Sequence, residues 1–104
     1  MVKVHGNWCG PDWTAGKKQS ARAYALAGGD WSERCIDPVD CACRAHDKGC
    51  SHKDGCSRKD DRLLIREMSR YRGSIWNRIR HPIISSKADV MTAIIMAAMQ
   101  YRRH

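Results

Sequence analysis

Apolar residues recur along this chain at helical rather than alternating spacing. Between residues 57 and 71, Leu64, Ile65 and Met68 form one stripe among Lys, Arg, Asp and Glu, which predicts an amphipathic helix. Its start is marked by Ser57 with Asp60 three residues on, in the manner of a capping box. A second helix is predicted over 37–50, where Asp37 offers a carboxylate cap and Pro38 takes the first helical position. Near the end, Ser85 and Ser86 look like a cap before an apolar run, so a helix is expected over 86–102. It is read as core rather than membrane anchor, since it is short and carries no basic amphipathic face. A basic connector precedes it around residues 78–82. A short helix is expected over 17–27, stopped by Gly28 and Gly29, and residues 6–16, dense in Gly and Pro, should form an irregular loop. Strand signals are weak throughout. The expected fold is all-α or nearly so, a single domain built on a pair of facing helices.

Composition narrows the setting. A chain of 104 residues buries a limited share of its surface, and its six cysteines, at 9, 35, 41, 43, 50 and 56, are an even set suited to a disulfide framework. That implies a secreted or extracytoplasmic protein. The first residues do not read as a secretory signal, so an export route is expected to come from outside this sequence. A net charge of +8 attracts phosphate-rich polymers or anionic membranes and does not choose between them. With four tryptophans and no phenylalanine, the large rings suit wet and greasy boundaries alike. Trp13 and Trp31 with Lys17 and Lys18 are a candidate membrane-contact patch, set against the plainer reading of scattered surface residues.

The candidate chemistry lies in the helix at 37–50. Cys43, His46, Asp47 and Cys50 follow the spacing i, i+3, i+4, i+7 and share one face, while Cys41 points elsewhere. On the second helix Asp61 falls on the stripe of Leu64, Ile65 and Met68. A carboxylate on an apolar face is costly without a partner, and an imidazole N–H is a natural one.

A cysteine three residues before a His-Asp pair, preceded by the glycine-rich Trp8-Cys9-Gly10-Pro11-Asp12 loop, resembles the secreted phospholipase A2 family, and Asp61-Arg62-Leu63-Leu64 resembles its second helix. The likeness covers under half of the chain and is nearer to the short bacterial, fungal and viral members than to the venom and pancreatic ones. It implies a Cys9–Cys43 bridge, a calcium loop at 6–16, and a calcium ion held by the carbonyls of Trp8, Gly10 and Asp12 and by the Asp47 carboxylate. It also implies His46 as general base on water, Asp61 as the carboxylate that orients it, and the Gly10 N–H with calcium at the oxyanion. The activity so implied is hydrolysis of the sn-2 ester of a glycerophospholipid at an anionic membrane surface, by a monomer that binds no nucleic acid. Asp12 stands where the family usually has a glycine.

For the remaining cysteines, local placement suggests Cys35–Cys41, locking the start of the first catalytic helix, and Cys50–Cys56, clamping the turn before the second. Two other classes stay open. Cys41, Cys43, His46, Cys50 and Cys56 could serve a zinc module that grips nucleic acid, although Cys41 and Cys43 diverge by roughly 200° on a helix. A catalytically idle, cationic, toxin-like relative that acts by binding is the other, and its usual sign, loss of the calcium Asp, is missing because Asp47 is present.

Overall fold

The irregular front of the chain is organised by one buried carboxylate. In a computed structural model that describes residues 3–102, the Asp40 side chain is fully buried and accepts the backbone N–H groups of Asn7, Trp8 and Ile36. Gly6, at φ +60°, passes so close to this carboxylate that a Cβ would sit on it, so the loop needs glycine there. The chain then forms a two-stranded antiparallel hairpin, β1 (Trp13–Thr14) and β2 (Lys17–Lys18), with Trp13 opposite Lys18 and Thr14 opposite Lys17. Ala15 and Gly16 turn it with φ of +53° and +75°, both left-handed as a tight two-residue hairpin turn requires. The helix expected over 17–27 is therefore corrected. Lys17 and Lys18 are strand residues, and α1 (Ala21–Leu26) begins only after Ser20, whose hydroxyl accepts the Ala23 N–H. It ends as expected at Gly28 and Gly29, whose N–H groups bond to the Ala25 and Tyr24 carbonyls in a Schellman motif.

The two central helices start where their caps place them. α2 (Pro38–Cys50) is capped by Asp37, which accepts the Asp40 N–H, and α3 (Arg58–Gly73) by a reciprocal Ser57–Asp60 capping box. They run antiparallel side by side, with Gly49 beside Asp60 at one end and Ala42 sharing a crevice with Glu67 at the other. Beyond α3 the structure departs from expectation. The basic connector is itself a helix, α4 (Ile75–Arg80), and α5 (Pro82–Met99) starts at Pro82, because proline needs no N–H partner in a first helical turn. Ser85 is thus no cap: it lies inside α5, buried, with its hydroxyl unpartnered among the described residues. The helix stops at Met99, three residues short of the expected end.

The core is formed where α3 lies between α2 and α5. Val39 and Cys43 from α2, Leu64 and Met68 from α3, and Ala88, Met91 and Ile95 from α5 are all nearly inaccessible. α5 is long and apolar enough to cross a bilayer, yet it packs along α3 and gives these three side chains to the core. Trp8 is completely buried, stacked on Trp31 at 5.7 Å between ring centres and edge-on to Tyr24. Trp31 is therefore half-buried, and the Trp13 indole N–H is donated to the Gly6 carbonyl, so the two loop tryptophans pack toward the body of the protein. Three disulfides, Cys9–Cys43, Cys35–Cys41 and Cys50–Cys56, bind the loop to α2, the approach to α2, and the α2–α3 turn.

Candidate functional site

The antiparallel arrangement of α2 and α3 brings the two residues singled out on their facing stripes into contact. His46 Nε2 lies 2.7 Å from Asp61 Oδ1, with His46 8% exposed and Asp61 fully buried. An ionised carboxylate can only accept, so Nε2 is the donor in this pair, and a neutral imidazole so held presents its lone pair at Nδ1. Near Nδ1 is Cys50 Sγ, at 3.7 Å.

Asp61 has a second partner that the sequence did not single out. Arg102, just beyond the end of α5, donates Nε to Asp61 Oδ2 at 2.9 Å and Nη2 to Oδ1 at 3.3 Å. Its own carbonyl accepts from Arg58. A buried carboxylate between an imidazole and a guanidinium fork is satisfied on both oxygens. Arg102 belongs to a short basic stretch after an apolar helix, a pattern that gives no hint of a contact 41 residues back in the chain.

Asp47, one residue on from His46, is in a different state. Burial pushes its carboxyl up to about 9, against the pull of the Thr14 side chain and with the Asp40 charge adding to the rise. Its Oδ2 is buried without a hydrogen-bond partner among the described residues. Such an atom is costly unless something positive reaches it.

His46 and Asp47 open on a cavity of about 320 Å³ that Gly10, Asp12 and Thr14 close from the loop side. Gly10 has φ +140° and Asp12 φ +51°. Asp12 takes up the left-handed backbone that would favour glycine, as aspartate does more readily than most residues. The Gly10 and Asp12 carbonyls each accept one backbone hydrogen bond, from Trp13 and Gln19, which leaves each a further lone pair. Trp8 is not part of the cavity wall. The far wall is apolar and comes from α5, through Met91, Ile94, Ile95 and Ala98. One groove therefore offers an imidazole base, an unsatisfied carboxylate and a greasy lining, arranged around the disulfide Cys50–Cys56. A separate groove of about 390 Å³ between α3 and α5, lined by Arg58, Arg62, Ile65 and Met96 among others, holds no acid or base pair.

The sulfur atoms of Cys50 and Cys56 lie with His46 in a cluster within 4.8 Å. They are bonded to each other, and the other candidate zinc ligands, Cys41 and Cys43, are likewise in disulfides. A soft metal needs thiolates, so in the oxidised protein the zinc module has lost four of its five ligands. The chain matches no family model, no curated protein and no solved structure.

Proposed function

We propose that the protein is a calcium-dependent hydrolase of glycerophospholipids, of the phospholipase A2 kind, working outside the cytoplasm. The observation that carries the reading is the pairing of the buried His46–Asp61 dyad with the unsatisfied Asp47 oxygen on a single groove whose opposite wall is apolar. The dyad supplies a base of defined tautomer, Asp47 asks for a cation, and the α5 wall suits an acyl chain. The three disulfides fit an oxidising compartment.

Asp47 and the carbonyls of Gly10 and Asp12 have the hard oxygen chemistry that calcium takes; Trp8, whose carbonyl the likeness adds as a ligand, does not line the groove. Bound there, calcium would supply positive charge for the ester carbonyl oxygen. The protein's own residues then have distinct tasks. His46 Nδ1 takes a proton from water as the water oxygen bonds to the sn-2 carbonyl carbon, and the imidazolium is held by Asp61. The Gly10 N–H, from a residue that lines the same groove, is the donor for the developing oxyanion. When the ester C–O bond breaks, His46 returns the proton to the departing lysophospholipid oxygen and the fatty acid is released. Asp61 and Arg102 touch no reacting atom; they hold the ring in place.

The test is release of fatty acid from mixed phospholipid vesicles. Release that depends on calcium, vanishes in excess chelator and is absent from His46→Gln is the expected result. Equal release with chelator, or from His46→Gln, would refute the reading.

A further inference from the structure

At the end of the molecule away from the His46 groove, α4 is built inside out. Asn77 faces the body of the protein, donating its side-chain amide to the Tyr71 carbonyl and its backbone N–H to Ser74 Oγ. Ile75 and Ile79, four residues apart on the opposite face, are 72% and 69% exposed, with Trp76 beside them at 68% and Ile83 of the first α5 turn at 73%. A helix ordinarily turns its polar face to water, and four large apolar side chains projecting together form a patch that needs a cover.

The charges around the patch say what kind of cover suits it. No acidic residue occurs between Glu67 and Asp89, while Arg70, Arg72, Arg78, Arg80 and Lys87 fall in that interval. Arg70 and Arg72 are matched by Glu67 and Asp89. Arg78, Arg80 and Lys87 form no salt bridge with a carboxylate among the described residues, and the Arg80 guanidinium lies over the Trp76 ring at 5.2 Å from its centre. A second copy of the chain would bring these unpaired cations together, which opposes self-association through this face. Isoleucines and a tryptophan ringed by arginines match a lipid interface, where the rings and aliphatic chains enter the acyl boundary and the cations meet anionic headgroups.

We infer that α4 and the first turn of α5 dock the protein on anionic phospholipid bilayers. The element stands apart from the groove: from Ile83 to Ile95 along α5 is about 18 Å at the helical rise. It replaces the loop tryptophans as the candidate membrane contact, since Trp31 is engaged by Trp8. The inference goes beyond the proposed function, since the patch lies away from the groove, and it is testable without turnover.

Binding is measured by vesicle flotation, with phosphatidylcholine alone or mixed with phosphatidylglycerol, on the full oxidised chain carrying His46→Gln and in chelator. Binding to the mixed vesicles only is expected. Trp76→Ser with Ile79→Ser should weaken it about tenfold or more, and so should Arg78→Glu with Arg80→Glu. Lys17→Glu with Lys18→Glu makes the same change in net charge at the hairpin and should weaken it far less. Thermal melts check that each variant is folded, which these exposed positions should permit. Equal losses from the hairpin and α4 charge pairs would overturn the inference, because binding would then follow net charge alone. Undiminished binding by the Trp76/Ile79 variant would overturn it too, as would wild-type self-association that Ile79→Ser abolishes. If docking behaves as expected while the parent chain releases no fatty acid, the hydrolase reading fails and the docking surface stands.

Discussion

The two ends of the molecule break the usual division of polar outside and apolar inside in opposite directions. At the α2–α3 turn, Asp61 and His46 are buried and Asp47 half-buried with its Oδ2 enclosed; at α4, three large apolar side chains stand in water. The burial of Asp61 is answered within the chain by His46 and Arg102. Asp47 Oδ2 and the α4 patch have no such answer among the described residues. The contrast is between a buried carboxylate satisfied within the chain and groups that nothing among the described residues satisfies or covers.

The largest effect expected on this contrast is from Asp61→Ala. It strands a buried imidazole and leaves Arg102 without its acceptor, and removing one member of a buried ion pair costs about 3–5 kcal/mol. Urea unfolding should show that loss, and a loss under about 1 kcal/mol would mean that the dyad is not the organising contact it looks to be. Arg102→Ala is milder, since Asp61 keeps its bond to His46 and water can enter where the guanidinium was. About 1–3 kcal/mol is expected, with hydrolysis reduced less than by His46→Gln.

Asp47→Asn tests the unsatisfied carboxylate and should act in the opposite direction. The folded Asp47 holds its proton up to about pH 9, whereas an unfolded aspartate loses it near pH 4. Between those values folding must take up a proton, so with chelator present the wild type loses stability as pH rises and the Asn variant does not. The variant should therefore be the more stable one in thermal melts without divalent cations, by a margin that widens from about pH 4 toward about pH 9. Calcium should stabilise only the wild type. A variant that is less stable than wild type in chelator at pH 8 would show that Asp47 has a structural partner after all.

The smallest effect belongs to the other end. Ile79 is mostly in water, so Ile79→Ser should move the melting free energy by no more than about 0.5 kcal/mol. A larger destabilisation would mean that α4 is packed in solution more tightly than its exposure indicates, and the contrast between the two ends would blur.

What could be read without coordinates was whatever local chemistry dictates. Asp37 and Ser57 cap their helices because a side-chain oxygen reaches an orphan N–H within three residues. The shared face of Cys43, His46 and Asp47 follows from helical period, as does the position of Asp61 on its own stripe. The two short disulfides, Cys35–Cys41 and Cys50–Cys56, join cysteines six residues apart at helix boundaries, and Cys9–Cys43 was implied by the loop-and-helix likeness. The hairpin at 13–18 escaped because its strands are two residues long, too short for an alternating pattern, and because Ala15 adopts a positive φ that alanine seldom takes.

The rest was decided by tertiary structure, for reasons of distance. Asp40 looks like an ordinary acidic residue in a first helical turn, and only the return of residues 6–8 against it makes it the anchor of the loop. Arg102 reaches Asp61 because α5 lies along α3 and ends beside the α2–α3 turn. Ser85 is buried rather than capping because Pro82 starts α5 three residues earlier and rotates it into the α3 interface. The sequence by itself determined the two central helices, their caps and the facing His46 and Asp61, since these depend on neighbours within a turn or two. Which carboxylates would be satisfied, and which apolar face would be left in water, depended on how α3, α4 and α5 pack, and no local pattern carries that.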